Sequence, residues 1–130
     1  MGMHGYFHQL SSRRLEELIS DPDLVERELY PIDREYAPKC TVEKTWNAHQ
    51  FMLQLLAQMG HFPEDSPFFE DVRIGPPLSY GPANCWTAEQ VAQIATGLAK
   101  IDNERLRIAY RPDLMQEYHV YPAAWDRAEE

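Results

Sequence analysis

The chain has 130 residues, of which 44% are apolar, and its 21 acidic and 12 basic residues give a net charge of -9. Its length is sufficient for residues 1–130 to fold as a single domain around one core, without disulfides or metals. The acidic balance disfavours nucleic acid and anionic membrane surfaces as partners.

The location of the protein is predicted from its cysteines and its N-terminus. Cys40 and Cys85 are too few for a disulfide framework. The first residues lack the basic and apolar segments of a secretion signal, and no stretch approaches the roughly 20 apolar residues of a membrane span. We therefore expect a cytoplasmic protein.

The first forty residues predict short elements. Residues 3–10 are rich in aromatic side chains and are typical of a strand. Ser11 or Ser12 can cap a short helix that ends near Asp21. Asp21 is expected to cap a second short helix, and an irregular connection follows it, between Pro31 and Pro38.

The strongest helical pattern begins at Thr41 and ends at Gly60. Its apolar face is predicted to contain Val42, Trp46, His49, Leu53 and Leu56, which recur at steps of three and four. His49 is expected to be buried on this face with one hydrogen-bond partner.

Residues 61–85 contain five prolines and no helical period. They are interpreted as a long connection with a short strand near Val72–Ile74. Residues 79–86, "SYGPANCW", are interpreted as a turn that leads into a helix capped by Thr87 and Gln90.

Three further helices are predicted after this turn. In the first, Val91, Ile94, Ala95 and Leu98 recur at helical spacing, and the others lie near 103–109 and 112–118. Together the elements predict an α+β domain, in which short helices pack on a small mixed or antiparallel sheet.

The sequence contains no convincing catalytic or metal-binding motif. Cys85 precedes a helix, which would lower the pKa of its thiol, but no histidine lies within 20 residues of it. His4 and His8 are four residues apart without supporting ligands. We therefore expect no cofactor and no metal, and a non-enzymatic role is favoured.

The segment 61–71, "HFPEDSPFFED", is the best candidate for binding a partner. Aromatic rings can fill pockets while carboxylates complement a basic rim, which is typical of protein interfaces. The alternative is that the rings pack into the domain's own core. The candidate contact residues are Glu64, Asp65, Phe68, Phe69, Glu70 and Asp71.

Several motifs together resemble the YfbM-like bacterial proteins. In order these are "MGMHGYF", "KTWNAHQFML", "LSYGPANCWTAEQVAQIATGL", "LRIAYRPDLM" and "VYPAAW". The resemblance implies a cytoplasmic bacterial protein with an α+β fold and brings no catalytic residues. Members usually continue into a further helix and strand, which residues 1–130 would lack. Proteins of this kind also occur beside contact-dependent toxins, where small acidic proteins act as immunity factors.

Two functional hypotheses follow. The leading one is an immunity or antitoxin-like factor that occludes the active site of a basic toxin or effector domain, such as an ADP-ribosyltransferase. The alternative is a small enzyme or small-molecule-binding domain with a pocket formed by Tyr6, His49, Tyr80 and Trp86. The sequence leaves the oligomeric state open.

Overall fold

The computed structural model describes residues 5–42, 46–78 and 81–120. The fold is α+β, which confirms the predicted class. In chain order its elements are β1 (Gly5–Phe7), α1 (Ser12–Ser20), α2 (Val25–Leu29), β2 (Cys40–Val42), α3 (Trp46–Gln58), β3 (Arg73–Leu78), β4 (Gly81–Asn84), α4 (Ala88–Ala99), α5 (Asn103–Ala109) and α6 (Pro112–Glu117). Short 3₁₀ turns span Pro22–Leu24 and Pro67–Phe69.

The described strands form two separate antiparallel pairs rather than one sheet. β1 pairs with β2, with Tyr6 opposite Thr41. β3 pairs with β4, and the register shifts between Ile74 and Leu78. Pro76 and Pro77 lie between these two positions, where an irregular pairing tolerates residues that cannot donate a backbone hydrogen bond.

Two segments adopt strands where the sequence predicts other structures. Thr41 lies in β2, and the helix begins only at Trp46. Thr41 is β-branched and suits a strand, and its pairing with Tyr6 supplies a partner that helical periodicity does not reveal. The predicted turn at residues 79–86 contains strand β4, so much of the predicted long connection is a β-hairpin.

The helix starts follow local capping chemistry. The Ser11 hydroxyl accepts a hydrogen bond from the backbone N–H of Arg14 at 3.1 Å. Thr87 and Gln90 form the predicted capping box, with reciprocal bonds of 2.9 and 3.2 Å. Asp21 makes no side-chain cap bond, so its predicted capping role is wrong. A 3₁₀ turn begins there instead of an α-helix.

The main core forms around α3. Its buried side chains recur along one helix face and contact residues from α5, α6 and the segment after α3. The buried members of this cluster are Ala48, Met52, Leu53, Leu56, Ala57, Phe62, Ala109 and Met115. Gly60, at φ 78°, ends the helical segment as predicted.

Helix α4 packs through a narrow face. Ile94 and Gly97 are buried, whereas Val91 and Leu98 are 50% and 43% exposed. A Cβ at Gly97 would lie 2.9 Å from Cε2 of Phe62, so the absence of a side chain there permits the close approach. Val91 and Leu98 share the helical spacing of Ile94 but lie outside the buried face of α4.

A second packing region joins the first two helices to β3. Leu18 and Val25 are each 1% exposed. A Cβ at Gly75 would lie 2.8 Å from the Cβ of Val25, and Gly75 has a φ of +81°. Glycine is required at this position by both the space and the backbone conformation.

Candidate partner-binding site

The acidic segment, residues 64–71, is built around a short ordered turn. The hydroxyl of Ser66 accepts a hydrogen bond from the backbone N–H of Phe68 at 3.2 Å and caps the 3₁₀ turn. Pro67 occupies the first position of this turn, where its missing N–H costs nothing. Ser66 and Pro67 are both buried, which fixes the centre of the segment to the domain.

Trp86 connects the acidic segment to the rest of the fold. Its indole N–H donates a hydrogen bond of 3.0 Å to the carbonyl oxygen of Pro67. The indole ring stacks on Phe68 with centroids 5.9 Å apart, and on Phe7 of β1 with centroids 6.2 Å apart. Three rings from distant parts of the sequence thus form one stack.

The two predicted aromatic anchors pack within the domain. Phe69 makes edge-to-face contacts with Phe68 and with the buried Phe62, each with centroids 5.6 Å apart. Phe68 and Phe69 are half-buried against the main core. In this structure the rings hold the segment in place, and any direct contact between them and a partner stays a prediction.

The four carboxylates of the segment, in contrast, face solvent. Asp71 pairs with Arg73 at 3.0 Å, and hydrogen bonding from that guanidinium lowers the pKa of the carboxyl group. Glu70 accepts a hydrogen bond of 3.3 Å from the side-chain amide of Gln90. Glu64 and Asp65 form no ion pair within the described part of the chain.

Only some residues of the predicted small-molecule pocket lie in the part of the chain that the structure describes. Tyr80 lies outside the described residues, and His49 is half-buried on α3. Tyr6 contacts Tyr36, whereas Trp86 contacts the neighbouring Phe7. Because adjacent residues of a strand point to opposite faces, β1 separates Tyr6 from Trp86.

Two grooves on the described surface are lined by other residues. One of 520 Å³ is lined by α1 and the turn after it, and another of 280 Å³ lies between α3 and His119. Neither groove is lined by Tyr6, His49 or Trp86. The pocket hypothesis remains a prediction.

The structure reveals an exposed tyrosine cluster that the sequence analysis did not identify. We define it as Tyr6, Tyr30 and Tyr36. Tyr36 stacks on Tyr30 with centroids 5.7 Å apart and meets Tyr6 edge-on at 5.9 Å. Burial, followed by the nearby phenols of Tyr30 and Tyr6, raises the pKa of Tyr36. The signal in the sequence is the spacing of tyrosines and prolines in "YPIDREYAP", within the predicted irregular connection.

An ion-pair network supports this cluster. The side chain of Glu28 is 13% exposed and pairs with Arg14 at 2.8 Å and with Arg34 at 3.3 Å. His8 contacts the ring of Tyr36 at a centroid distance of 5.8 Å. Burial lowers the pKa of His8, and the charge of Glu28 acts in the opposite direction.

The predictions for the Cys85 thiol, for metal ligands and for membrane spans can be compared with the described residues. Burial raises the pKa of the Cys85 thiol, which corrects the expectation that the following helix would lower it. No group of three histidine, cysteine, aspartate or glutamate side chains in the described ranges could hold a metal ion, and His4 lies outside those ranges. Among the helices of these ranges, none has the length and apolar composition that a membrane crossing requires.

Comparison with known proteins identifies a family but not an activity. Residues 1–130 match the sequence model of a family described as "Domain of unknown function (DUF1877)". No curated protein and no solved structure matches the chain.

Proposed function

The chain belongs to the DUF1877 family, and because this membership brings no activity, we propose a function from the site itself. The proposed function is that of a cytoplasmic protein-binding module that presents the acidic segment 64–71 to a basic protein. The observation that carries this proposal is the exposure of four carboxylates on a turn whose centre is buried.

Charge supports the proposal because the acidic segment concentrates four exposed carboxylates on a chain that is already acidic. The net charge is -9. A negative surface attracts a basic partner over a distance and accelerates productive encounters, most strongly at low salt. Glu64 and Asp65 form no ion pair in the described part of the chain, so they are free to complement cations of a partner.

The preorganisation of the acidic segment also supports the proposed function. When a loop becomes ordered only on binding, the conformational entropy lost in ordering it reduces the affinity. Here the Ser66 cap, the buried Pro67 and the hydrogen bond from Trp86 already hold the turn. The phenylalanines serve this framework, and the carboxylates supply the recognition.

The identity of the partner rests on the resemblance rather than on the geometry. YfbM-like proteins occur beside contact-dependent toxins, and an acidic surface is suited to a toxin cleft that binds nucleotide phosphates. We therefore propose an immunity or antitoxin-like role, in which the chain occludes the active site of a toxin such as an ADP-ribosyltransferase.

The test compares two variants with the same change in charge. E64Q/D65N removes two unpaired carboxylates from the segment, while E104Q/E117Q removes two exposed carboxylates from α5 and α6. Each tagged chain is used to capture proteins from a lysate of the native bacterium at low and high salt. We expect the unaltered chain and E104Q/E117Q to retain one stoichiometric basic protein that E64Q/D65N loses.

The captured protein is then assayed for ADP-ribosyl transfer with and without the chain. Inhibition that E64Q/D65N weakens would support the immunity role. Equal capture by both variants would contradict the role of the acidic segment, and a partner whose activity the chain leaves unchanged would contradict inhibition.

A further inference from the structure

The tyrosine cluster is a surface feature that the acidic segment does not explain. Tyr6, Tyr30 and Tyr36 come from β1 and from the two ends of the segment 30–36, and they are 45%, 46% and 39% exposed. Ile32, between them in sequence, is 87% exposed. Clustered exposed tyrosines, with an exposed aliphatic side chain in the same segment, have the composition of protein interfaces, in which tyrosine is enriched.

The cluster is held together before any partner binds. Tyr36 contacts the rings of Tyr6, Tyr30 and His8. Tyrosine has few rotatable bonds, so ordering it in a complex costs little entropy. Pro31 restricts the backbone directly after Tyr30. The surface therefore offers rigid aromatic area.

The charges around the cluster favour a cationic partner. Asp33 and Glu35 are exposed on the same segment. Arg34 lies between them and donates to the backbone carbonyl oxygen of Glu28 at 3.1 Å, and it pairs with the carboxylates of Glu28 at 3.3 Å and of Asp33 at 4.0 Å. The charge of Arg34 is thus shared between Glu28 and Asp33, and the exposed Glu35 forms no ion pair in the described part of the chain.

We propose that the tyrosine cluster is a docking surface for an arginine-bearing segment of a protein partner. This inference rests on the proposed function, namely that the chain binds a basic protein. A guanidinium can stack on an aromatic ring and simultaneously donate two hydrogen bonds to a carboxylate, here that of Glu35, which directly precedes Tyr36. A lysine ammonium lacks the planar face and the forked donors. The surface should therefore prefer arginine to lysine.

The test uses hexa-arginine and hexa-lysine peptides as probes of the intact chain, with binding measured by fluorescence anisotropy at low salt. We expect hexa-arginine to bind more tightly. Tyr30→Leu keeps apolar area but removes the aromatic face, and should weaken hexa-arginine binding by about two- to fivefold while leaving hexa-lysine binding unchanged. Tyr118→Leu is the matched control, because Tyr118 is 66% exposed and lies at the C-terminal end of α6, in a different part of the chain.

A second measurement needs no substitution. Hexa-arginine should protect the tyrosine cluster from nitration in the unaltered chain, as read by peptide mass spectrometry, with Tyr118 as the internal reference. Equal affinity for both peptides, equal losses in Tyr30→Leu and Tyr118→Leu, or equal protection of all four tyrosines would overturn the inference.

The E64Q/D65N variant separates this inference from the role of the acidic segment. If that segment contacts cations, the variant weakens both peptides equally and preserves the preference for arginine. An arginine preference that survives in E64Q/D65N but is lost in Tyr30→Leu supports the tyrosine surface even when the acidic segment contributes nothing.

Discussion

The indole N–H of Trp86 donates to the carbonyl oxygen of Pro67 at 3.0 Å, and this bond joins the start of α4 to the acidic segment. Trp86 directly precedes the capping residue Thr87, while Pro67 begins the 3₁₀ turn. The same indole stacks on Phe68, so the turn is held by a polar and an aromatic contact together. The position of the exposed carboxylates therefore depends on a residue nineteen positions away from Pro67 in sequence.

Trp86→Phe should destabilise the domain while retaining an aromatic ring. The substitution removes the part-buried hydrogen bond to the Pro67 carbonyl oxygen, and we expect a loss of about 1–2 kcal/mol in the free energy of unfolding. Urea unfolding followed by circular dichroism measures this loss. An unchanged unfolding midpoint would show that the bond to Pro67 contributes nothing to stability.

Gly75→Ala should be more damaging than Gly60→Ala, although both glycines have positive φ. At Gly75 the new Cβ would lie 2.8 Å from that of Val25, whereas at Gly60 nothing lies within 4 Å. We expect a loss of about 2–4 kcal/mol at Gly75 and about 1 kcal/mol at Gly60. Thermal unfolding of the two variants checks the order, and equal losses would rule out the steric explanation.

His119→Gly should stabilise the chain. His119 adopts φ 58° directly after Tyr118, the C-terminal cap of α6. Its N–H bonds to the carbonyl of Gln116, and the N–H of Val120 bonds to that of Met115, as in a Schellman motif. Glycine accepts this conformation without strain, so we expect a gain of about 0.5–1 kcal/mol. His119→Ala, which keeps a Cβ, is the control, and an equal gain in both variants would refute the backbone explanation.

Cys40 should react with iodoacetamide severalfold faster than Cys85. Cys40 is exposed, whereas Cys85 is half-buried and burial raises the pKa of its thiol. Both effects reduce attack by Cys85, because the thiolate is the reactive form and must also be accessible. Peptide mass spectrometry at neutral pH gives the two rates. In denaturant the rates should converge, and faster labelling of Cys85 in the native chain would contradict the structure.

Local features of the fold were predictable because their partners are neighbours in the chain. The Ser11 cap, the box of Thr87 and Gln90, and the termination at Gly60 each depend on contacts within about five residues. The α+β class and the acidic character of residues 64–71 were also readable from the sequence. These features depend on hydrogen bonds between neighbouring residues and on composition, and both can be read directly from the sequence.

The tertiary structure decided the features that depend on distant residues. Thr41 belongs to a strand because it pairs with Tyr6 of β1. In the folded chain Phe68 stacks on Trp86, and the tyrosine cluster is formed by residues from separate segments. A periodic pattern shows that apolar residues share a face but not which surface meets that face. That choice depends on which segments, far apart in sequence, gain the most from burying their surfaces against each other.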